Sequence, residues 1–291
     1  MGYIGGQALI EGVMMKGDHY VATAIYGPDL GSSSPSNQTL IVEKHPFQSL
    51  TERFWFLKIP VLRGFIALVE MMILGMKTLM YSVNVSEPED KQVSKNEMTG
   101  SLLLSLAVSV ILFVVIPASF FNFLRTHYGG LNIVVLNACE GLFRMSLFLG
   151  FIASTQLMKD MLSVYAYHGA EHKVVNAYEA GAPLTVEGVK PYSRIHLRCG
   201  TTFIMVVLLV SIIVFSLIGR QDLLHRIAFK LLLFPVISGI SYEFIRLAAK
   251  FSTNPLAKIL LFPGKLVQRM TTREPGEKEL NAAIAAIKEV I

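Results

Sequence analysis

Residues 102–124 decide the fold, and they read LLLSLAVSVILFVVIPASFFNFL. A helix needs roughly 20 consecutive apolar residues to cross the hydrocarbon core of a bilayer. This stretch exceeds that length and contains no Asp, Glu, Lys or Arg. It therefore predicts a membrane-spanning helix, Leu102–Leu124.

Three further apolar stretches extend this pattern along the chain. They are Leu131–Leu157, Thr202–Gly219 and Ala228–Ala249, and short loops join the four stretches into two helical hairpins. The whole chain is 53% hydrophobic and only 16% charged, with a mean hydropathy of +0.52, which excludes an ordinary soluble domain. The sequence predicts a mainly α, polytopic helical membrane protein with about four spanning helices.

The segment Phe54–Val83 is apolar but is interrupted by charged residues. Lys58, Arg63, Glu70 and Lys77 leave no uninterrupted run of spanning length. We expect an interfacial or re-entrant helix here.

The N-terminal region has a different character. Short runs of strand-forming residues at Tyr20–Tyr26 and Thr39–Lys44, separated by Gly, Pro, Ser and Asn, predict a hairpin within a small β-containing subdomain. The glycine-rich stretch Gly5–Met15 around Glu11 predicts a structural turn. The start of the chain lacks the basic and long apolar parts of a signal peptide, so we expect this region to be retained in the mature protein.

Lys and Arg cluster in two loop regions rather than on one basic face, and cytoplasmic flanks of spanning helices retain such residues. The segment that joins the two hairpins and the C-terminal tail should therefore both be cytoplasmic. Four spans also place the N-terminus inside the cell. No nucleic-acid motif is visible, and the expected surroundings are a lipid bilayer, with a membrane-protein partner or a second copy of the chain as further partners.

These patterns divide the chain into six segments. They are a Gly-rich hairpin region (1–50), an interfacial or re-entrant helix with a charged linker (51–97), a first transmembrane hairpin (98–157), a cytoplasmic His/Glu/Cys segment (158–200), a second transmembrane hairpin (201–250) and a cytoplasmic tail that ends in an amphipathic helix (251–291). The two cysteines, Cys139 and Cys199, are too few for a disulfide framework.

The leading functional motif is His168-Gly169-Ala170-Glu171-His172. On a helix the two histidines lie four residues apart and hence on one face, so both can bind one metal ion. Glu171 stands beside them as a general base, in the spacing of inverted zincins. The alternative is two ordinary histidines on a helix face next to a glutamate.

Further ligands should come from elsewhere in the chain. His196 and Cys199 stand where the joining segment re-enters the membrane, and imidazole and thiolate both bind zinc well. Glu243, in the cytoplasmic half of the fourth span, is the other candidate. Glu179 lies roughly 10 Å along a continuous helix from His172, too far to share its ion. Glu140 and Arg144, four residues apart in the second span, are expected to neutralise each other.

Several ordered motifs carry a resemblance to a known family. They are GGQALIEGVMM near the start, YHGAEHKVVNAYEAG and HLRCGT in the middle, SYEFIRLA in the fourth span and TTREP near the end. With these motifs the chain resembles the bacterial YqhQ-like membrane proteins, which are described as predicted metal-dependent enzymes. The resemblance implies a cytoplasmic-membrane protein with His168, Glu171, His172, His196 and Cys199 as candidate site residues. Leu197 departs from the proline common there in the family.

Three hypotheses for function follow. The first is a metal-dependent hydrolase at the cytoplasmic face of the bacterial membrane, with zinc as the expected cofactor and a peptide or a lipid as substrate. The second is a non-catalytic partner or assembly factor with a structural metal or a plain histidine cluster. The third is a small transporter that uses the charged residues within the spans.

Overall fold

The computed structural model describes residues 4–28, 38–87, 94–219, 221–251 and 254–291. Its described part is mainly helical, with one four-stranded antiparallel sheet near the N-terminus. The strands lie in the order of the sequence and are β1 (Gly5–Leu9), β2 (Gly12–Lys16), β3 (Tyr20–Pro28) and β4 (Gln38–Pro46).

The pairing of β3 with β4 confirms the predicted hairpin, whose tip at residues 29–37 lies outside the described residues. The hairpin of β1 and β2 was not predicted as strands. Within it, Glu11 adopts a φ of 51° at the tight turn, so the predicted turn is present but is only the corner of the hairpin. A two-residue hairpin connection favours this left-handed conformation.

Strand β2 lacks the alternation of apolar and polar residues by which strands are predicted, because both of its faces are buried. Val13 and Met15 pack towards one core, while Met14 packs towards another on the opposite face of the sheet. A strand that is covered on both sides shows a continuous apolar run instead of alternation.

The helices follow in chain order. A short α1 (Leu50–Arg53) and a 3-10 turn (Trp55–Lys58) precede α2 (Leu62–Ser86). Next come α3 (Lys95–Val110), a π-helical turn (Ile111–Val115), α4 (Ile116–His127), α5 (Ile133–Thr155) and α6 (Lys159–Glu179). The last are α7 (Val186–Val189), α8 (Gly200–Leu217), α9 (Leu223–Lys250), α10 (Pro255–Thr271) and α11 (Glu277–Lys288).

Five of the described helical segments are long and apolar enough to cross a membrane. Four coincide with the predicted spans: the continuous segment from Asn96 to His127, and α5, α8 and α9. The fifth is α2, a single unbroken helix within the segment that was expected to be interfacial or re-entrant. Helix α10 was not predicted, because its sequence contains Pro255 and Pro263, and proline usually ends or interrupts a helix.

The expected pairing of Glu140 with Arg144 exists, with 2.8 Å between Arg144 Nη2 and Glu140 Oε1. It belongs to a larger buried network, because Arg226 and Lys230 of α9 also donate to the carboxylate of Glu140. Charged groups within an apolar bundle are retained when they pair with one another. The network therefore links α5 to α9 inside the bundle.

Two cores surround the N-terminal sheet. Helices α6 and α11 pack on one face through residues that include Tyr167, Val174, Leu280 and Ile287. Helix α2 packs on the other face through Leu74 and Val85, among others. This packing holds α6, which carries the histidine motif, rigidly between the sheet and the segment that leads into α8.

Candidate metal site

Helix α6 presents His168 and His172 one turn apart, with 4.4 Å between their ring centroids. The neighbouring face of the helix, which includes Tyr167, Ala170 and Val174, is buried against the sheet and α11. With that face buried, the rotation of the helix is set. The two imidazoles consequently point towards the residues that precede α8 and follow α10.

Each of the two imidazoles is held by a hydrogen bond between its Nδ1 and a main-chain carbonyl group. His168 Nδ1 lies 2.8 Å from the carbonyl oxygen of Thr271, and His172 Nδ1 lies 2.7 Å from that of Arg194. A carbonyl oxygen can only accept a hydrogen bond, so each Nδ1 carries a proton. Nε2 is then the nitrogen that can bind a metal, the second-layer arrangement that metal-binding histidines almost always have.

Cys199 completes a group of three potential ligands. Its Sγ lies 3.3 Å from His168 Nε2, and one ligand atom from each of Cys199, His168 and His172 lies within 4.8 Å of the others. Tetrahedral zinc with ordinary Zn–N and Zn–S bonds sets its nitrogen and sulfur ligands about 3.6 Å apart. The separation of Cys199 Sγ from His168 Nε2 is close to that value, so the three residues could together hold a metal ion such as zinc.

The thiol of Cys199 is electrostatically poised to ionise. Burial is the largest influence and opposes ionisation, but the hydrogen bonds and charges of His168 and His172 together lower the pKa of Cys199 well below its ordinary value. Cys199 also caps the N-terminus of α8, where the helix dipole favours a negative charge. A thiolate is the form of cysteine that binds metals.

The pKa of the His172 imidazole shifts upward, in the opposite direction to the pKa of Cys199. Burial, the largest influence, disfavours its charged form, yet the carboxylate of Glu171 and the sulfur of Cys199 raise the pKa of His172 to about 9. The pKa of His168 is also raised, because the Cys199 thiolate outweighs burial. Without a metal, these opposite shifts favour a thiolate at Cys199 paired with a protonated imidazole.

Glu171 lies next to these ligands. Its Oε2 is 3.4 Å from His172 Nε2, and its side chain is only 6% exposed, with its Cγ against Gly6 of β1. A side chain on Gly6 would collide with Glu171, so this glycine keeps the room that the carboxylate occupies. The predicted general base is thus beside the cluster, and it is held there by the N-terminal sheet.

The structure does not bring the other two predicted ligands into this group. His196 stacks near His172, with 5.9 Å between the ring centroids, but its Nε2 faces Glu179 Oε2 at 3.4 Å. The carboxylate of Glu243 is held by Arg63 through two hydrogen bonds of 2.6 and 2.5 Å. As expected from the length of α6, Glu179 lies apart from the cluster and also pairs with Arg198.

Sequence reasoning missed the segment that follows α10. Thr271 supplies the carbonyl for His168, and the backbone N–H of Arg273 donates to the carbonyl of Tyr165 over 2.8 Å. Gly169 makes this approach possible, because a Cβ there would overlap the carbonyl oxygen of Arg273. A glycine inside a helix destabilises it, and such a glycine often marks a place where another chain segment packs closely. Gly169 was therefore the feature of the sequence that could have indicated this contact.

Comparison with known proteins places the chain in a family. Residues 59–291 match the family described as "Protein of unknown function (DUF1385)". The chain belongs to this family. It is also 35% identical over 301 residues to the protein named "Uncharacterized protein YqhQ" of Bacillus subtilis (strain 168), an alignment that covers 99% of this chain and 92% of the relative. No solved structure matches the chain.

Membership of the DUF1385 family confirms the resemblance to YqhQ-like proteins that the motifs suggested. Neither description names a reaction or a ligand. The chemistry of the candidate site must therefore be argued from the cluster of His168, His172 and Cys199.

We predict that the purified protein holds close to one zinc ion per chain. The variants His168→Ala, His172→Ala and Cys199→Ser should each lose this zinc, because each variant removes one of the three ligands. Elemental analysis of protein purified without a metal-affinity tag measures this. Cys139→Ser, His196→Ala and Glu243→Gln are the controls and should keep the metal. Equal zinc content in all six folded variants would contradict the assignment.

Zinc affinity should also depend on pH. In the metal-free protein His172 stays protonated up to about pH 9, and zinc must displace that proton. The apparent affinity should rise about tenfold per pH unit for each proton displaced, and should level off near the pKa of His172. Competition with a chromophoric chelator from pH 6 to above pH 9, corrected for the chelator's own protonation, tests this. An affinity that does not change with pH would rule out the protonated cluster.

Proposed function

We propose that this protein is a metal-dependent hydrolase at the cytoplasmic face of the bacterial membrane. The observation that carries the proposal is the pair of carbonyl-anchored histidines that aim Nε2 at the sulfur of Cys199. Three protein ligands are the usual number in catalytic zinc sites, which keep a fourth position open. When bound there, a divalent ion such as zinc would supply Lewis-acid activation of water and of a substrate carbonyl or phosphoryl oxygen.

Glu171 is the general base of the proposed reaction. It takes up the proton of the attacking water and returns it to the leaving group, so it needs a fixed position beside the ligands. Its contacts with His172 and with β1 support this role. The substrate class is a peptide or a lipid, as the membrane setting allows.

A structural metal in a non-catalytic partner or assembly factor is the second candidate. The observation that favours it is burial, because only 1% of His172 and 7% of Cys199 are exposed. A closed coordination sphere would stabilise the contact between α6 and the loops around it without any reaction. The buried charges around Glu140 bear on a third candidate, transport, but they are paired within the bundle.

The membrane arrangement that fits this proposal has four spans and cytoplasmic ends. Support comes from the core that the N-terminal sheet, α6 and α11 form together, because segments with a common core lie on one side of a membrane. The ion pair of Lys44 with Glu289 joins the same parts of the chain. An even number of crossings must then separate β4 from α6, and the segment from Asn96 to His127 and α5 supply two.

Helix α2 is then re-entrant in the proposed arrangement. Its C-terminal half packs on the sheet, with the Val85 carbonyl close to Gly27, while Val61 at its start lies against Gly239 in the middle of α9. Ser49 Oγ donates to Glu70 Oε2 over 2.8 Å, so the chain descends after Ser49 and returns along α2. Trp55, in the 3-10 turn between Ser49 and α2, is 81% exposed, as suits a side chain in contact with lipid.

We predict that Glu171→Gln lowers hydrolysis by about 10²- to 10⁴-fold without loss of zinc, because loss of a general base typically costs that much. Hydrolysis of a panel of peptide, carboxylic-ester and phosphodiester substrates by zinc-loaded protein measures the first quantity, and elemental analysis measures the second. Glu179→Gln, on the same helix but away from the cluster, is the matched control. Zinc-loaded wild type that cleaves no member of the panel would favour the structural role.

The membrane arrangement predicts which positions an impermeant maleimide reaches in intact cells. In a background with Cys139→Ser and Cys199→Ser, Tyr128→Cys should label from outside, because it lies in the loop between α4 and α5. Lys44→Cys and Lys190→Cys should label only after lysis. Labelling of Lys44→Cys in intact cells, with Lys190→Cys protected, would instead show an odd number of crossings between them.

A further inference from the structure

A pocket of about 310 Å³ lies beside the candidate metal site and concentrates positive charge. Arg194 comes from the segment before α8, whereas Arg269 and Arg273 come from the end of α10 and the residues after it, and all three line the pocket. Arg194 Nη1 donates to the carbonyl oxygen of Thr272, which fixes this guanidinium against the segment after α10. The pocket is thus built from the same two chain segments that hold His168 and His172.

The positive charge of the pocket has no counterion among the described residues. None of its lining residues is acidic, and neither Arg269 nor Arg273 makes an ion pair within the described part of the chain. Glu274, the adjacent acid in sequence, pairs with Lys173 instead. Three arginines that converge without an acid form a site for an oxyanion, because the guanidinium group binds phosphate by paired hydrogen bonds.

The position of the pocket favours a lipid as the source of that phosphate. Gln156, at the end of α5, lines the pocket and donates to the carbonyl of Met270, and the next residue, Leu157, is 86% exposed. On α10, Ile259, Phe262 and Leu266 form an exposed apolar stripe at helical spacing. The arginines therefore lie where lipid-facing apolar surface ends, which is the depth of the headgroups.

We propose that the pocket of Arg194, Arg269 and Arg273 binds the phosphate headgroup of an anionic glycerophospholipid. The acyl chains lie against the apolar surface beside Leu157, and the phosphate accepts hydrogen bonds from the arginines. This binding site is separate from the metal ligands and does not require a metal. It goes beyond hydrolysis, because it gives a lipid-binding role to arginines that lie outside the histidine and cysteine cluster.

The test uses the full chain in detergent and native mass spectrometry, with dioleoylphosphatidic acid as the probe and dioleoylphosphatidylcholine for comparison. We expect one phosphatidic acid to bind at least about tenfold more tightly than phosphatidylcholine. Arg269→Gln and Arg273→Gln should each weaken it about tenfold, since each removes charge-assisted hydrogen bonds. These two are chosen because the Arg194 carbonyl supports His172 directly. Lys265→Gln, one turn before Arg269 on α10 but outside the pocket, is the matched control and should stay within about twofold.

Three results would overturn the proposal. They are equal affinity for the two lipids, equal weakening by Lys265→Gln, and full displacement of the lipid by millimolar inorganic phosphate, which would mark a soluble phosphate as the ligand. His172→Ala separates this proposal from the hydrolase. Unchanged lipid binding in that variant, whether or not the wild type hydrolyses any substrate, upholds a binding site that is independent of the metal. Loss of lipid binding in a folded His172→Ala variant would show that the pocket depends on the histidine cluster, and it would contradict the proposal of an independent binding site.

Discussion

Two hydrogen bonds to main-chain carbonyl groups are the interaction on which the candidate site depends. The carbonyls of Thr271 and Arg194 select the protonated nitrogen of His168 and of His172, and so leave Nε2 to face Cys199. The Arg194 carbonyl lies in a segment without regular secondary structure and the Thr271 carbonyl belongs to the last residue of α10, so packing must hold both in place. Gly169 allows the segment after α10 to touch α6, and the Arg194 guanidinium donates to the carbonyl of Thr272 in that same segment.

The core that the N-terminal sheet, α6 and α11 form together connects this site to the proposed membrane arrangement. One face of α6 packs on the sheet and α11, and a neighbouring face bears the histidines. The same packing requires β4, α6 and α11 to share one side of the bilayer, which limits the number of crossings. The N-terminal sheet therefore has two roles: it positions Glu171 through Gly6, and it constrains the topology.

The bundle contains a second polar centre of a different kind. Glu140 receives hydrogen bonds from Arg144, Arg226 and Lys230, and all four side chains are buried. Removing one partner of such a group leaves a buried charge without compensation, which costs more than an exposed ion pair. This centre joins α5 to α9, whereas the histidine cluster joins α6 to α8, so the two have separate structural roles.

The sequence by itself determined four of the five helices that are long and apolar enough to cross a membrane, the hairpin of β3 and β4, the family and the residues of the HxxEH motif, because these depend on local composition and on the 3.6-residue period of a helix. The rise per residue of an α-helix separated Glu179 from the cluster, and in the structure Glu179 pairs with His196 and Arg198 instead. Only the tertiary structure selected Cys199 over His196 and Glu243 as the third member, since the choice depends on contacts between residues distant in sequence. Glu243 meets Arg63 across 180 positions, and His168 meets Thr271 across 103. The arginine pocket, likewise, exists only because three separated segments meet at the end of α5. No local pattern encodes such a meeting, because it results from the packing of whole elements.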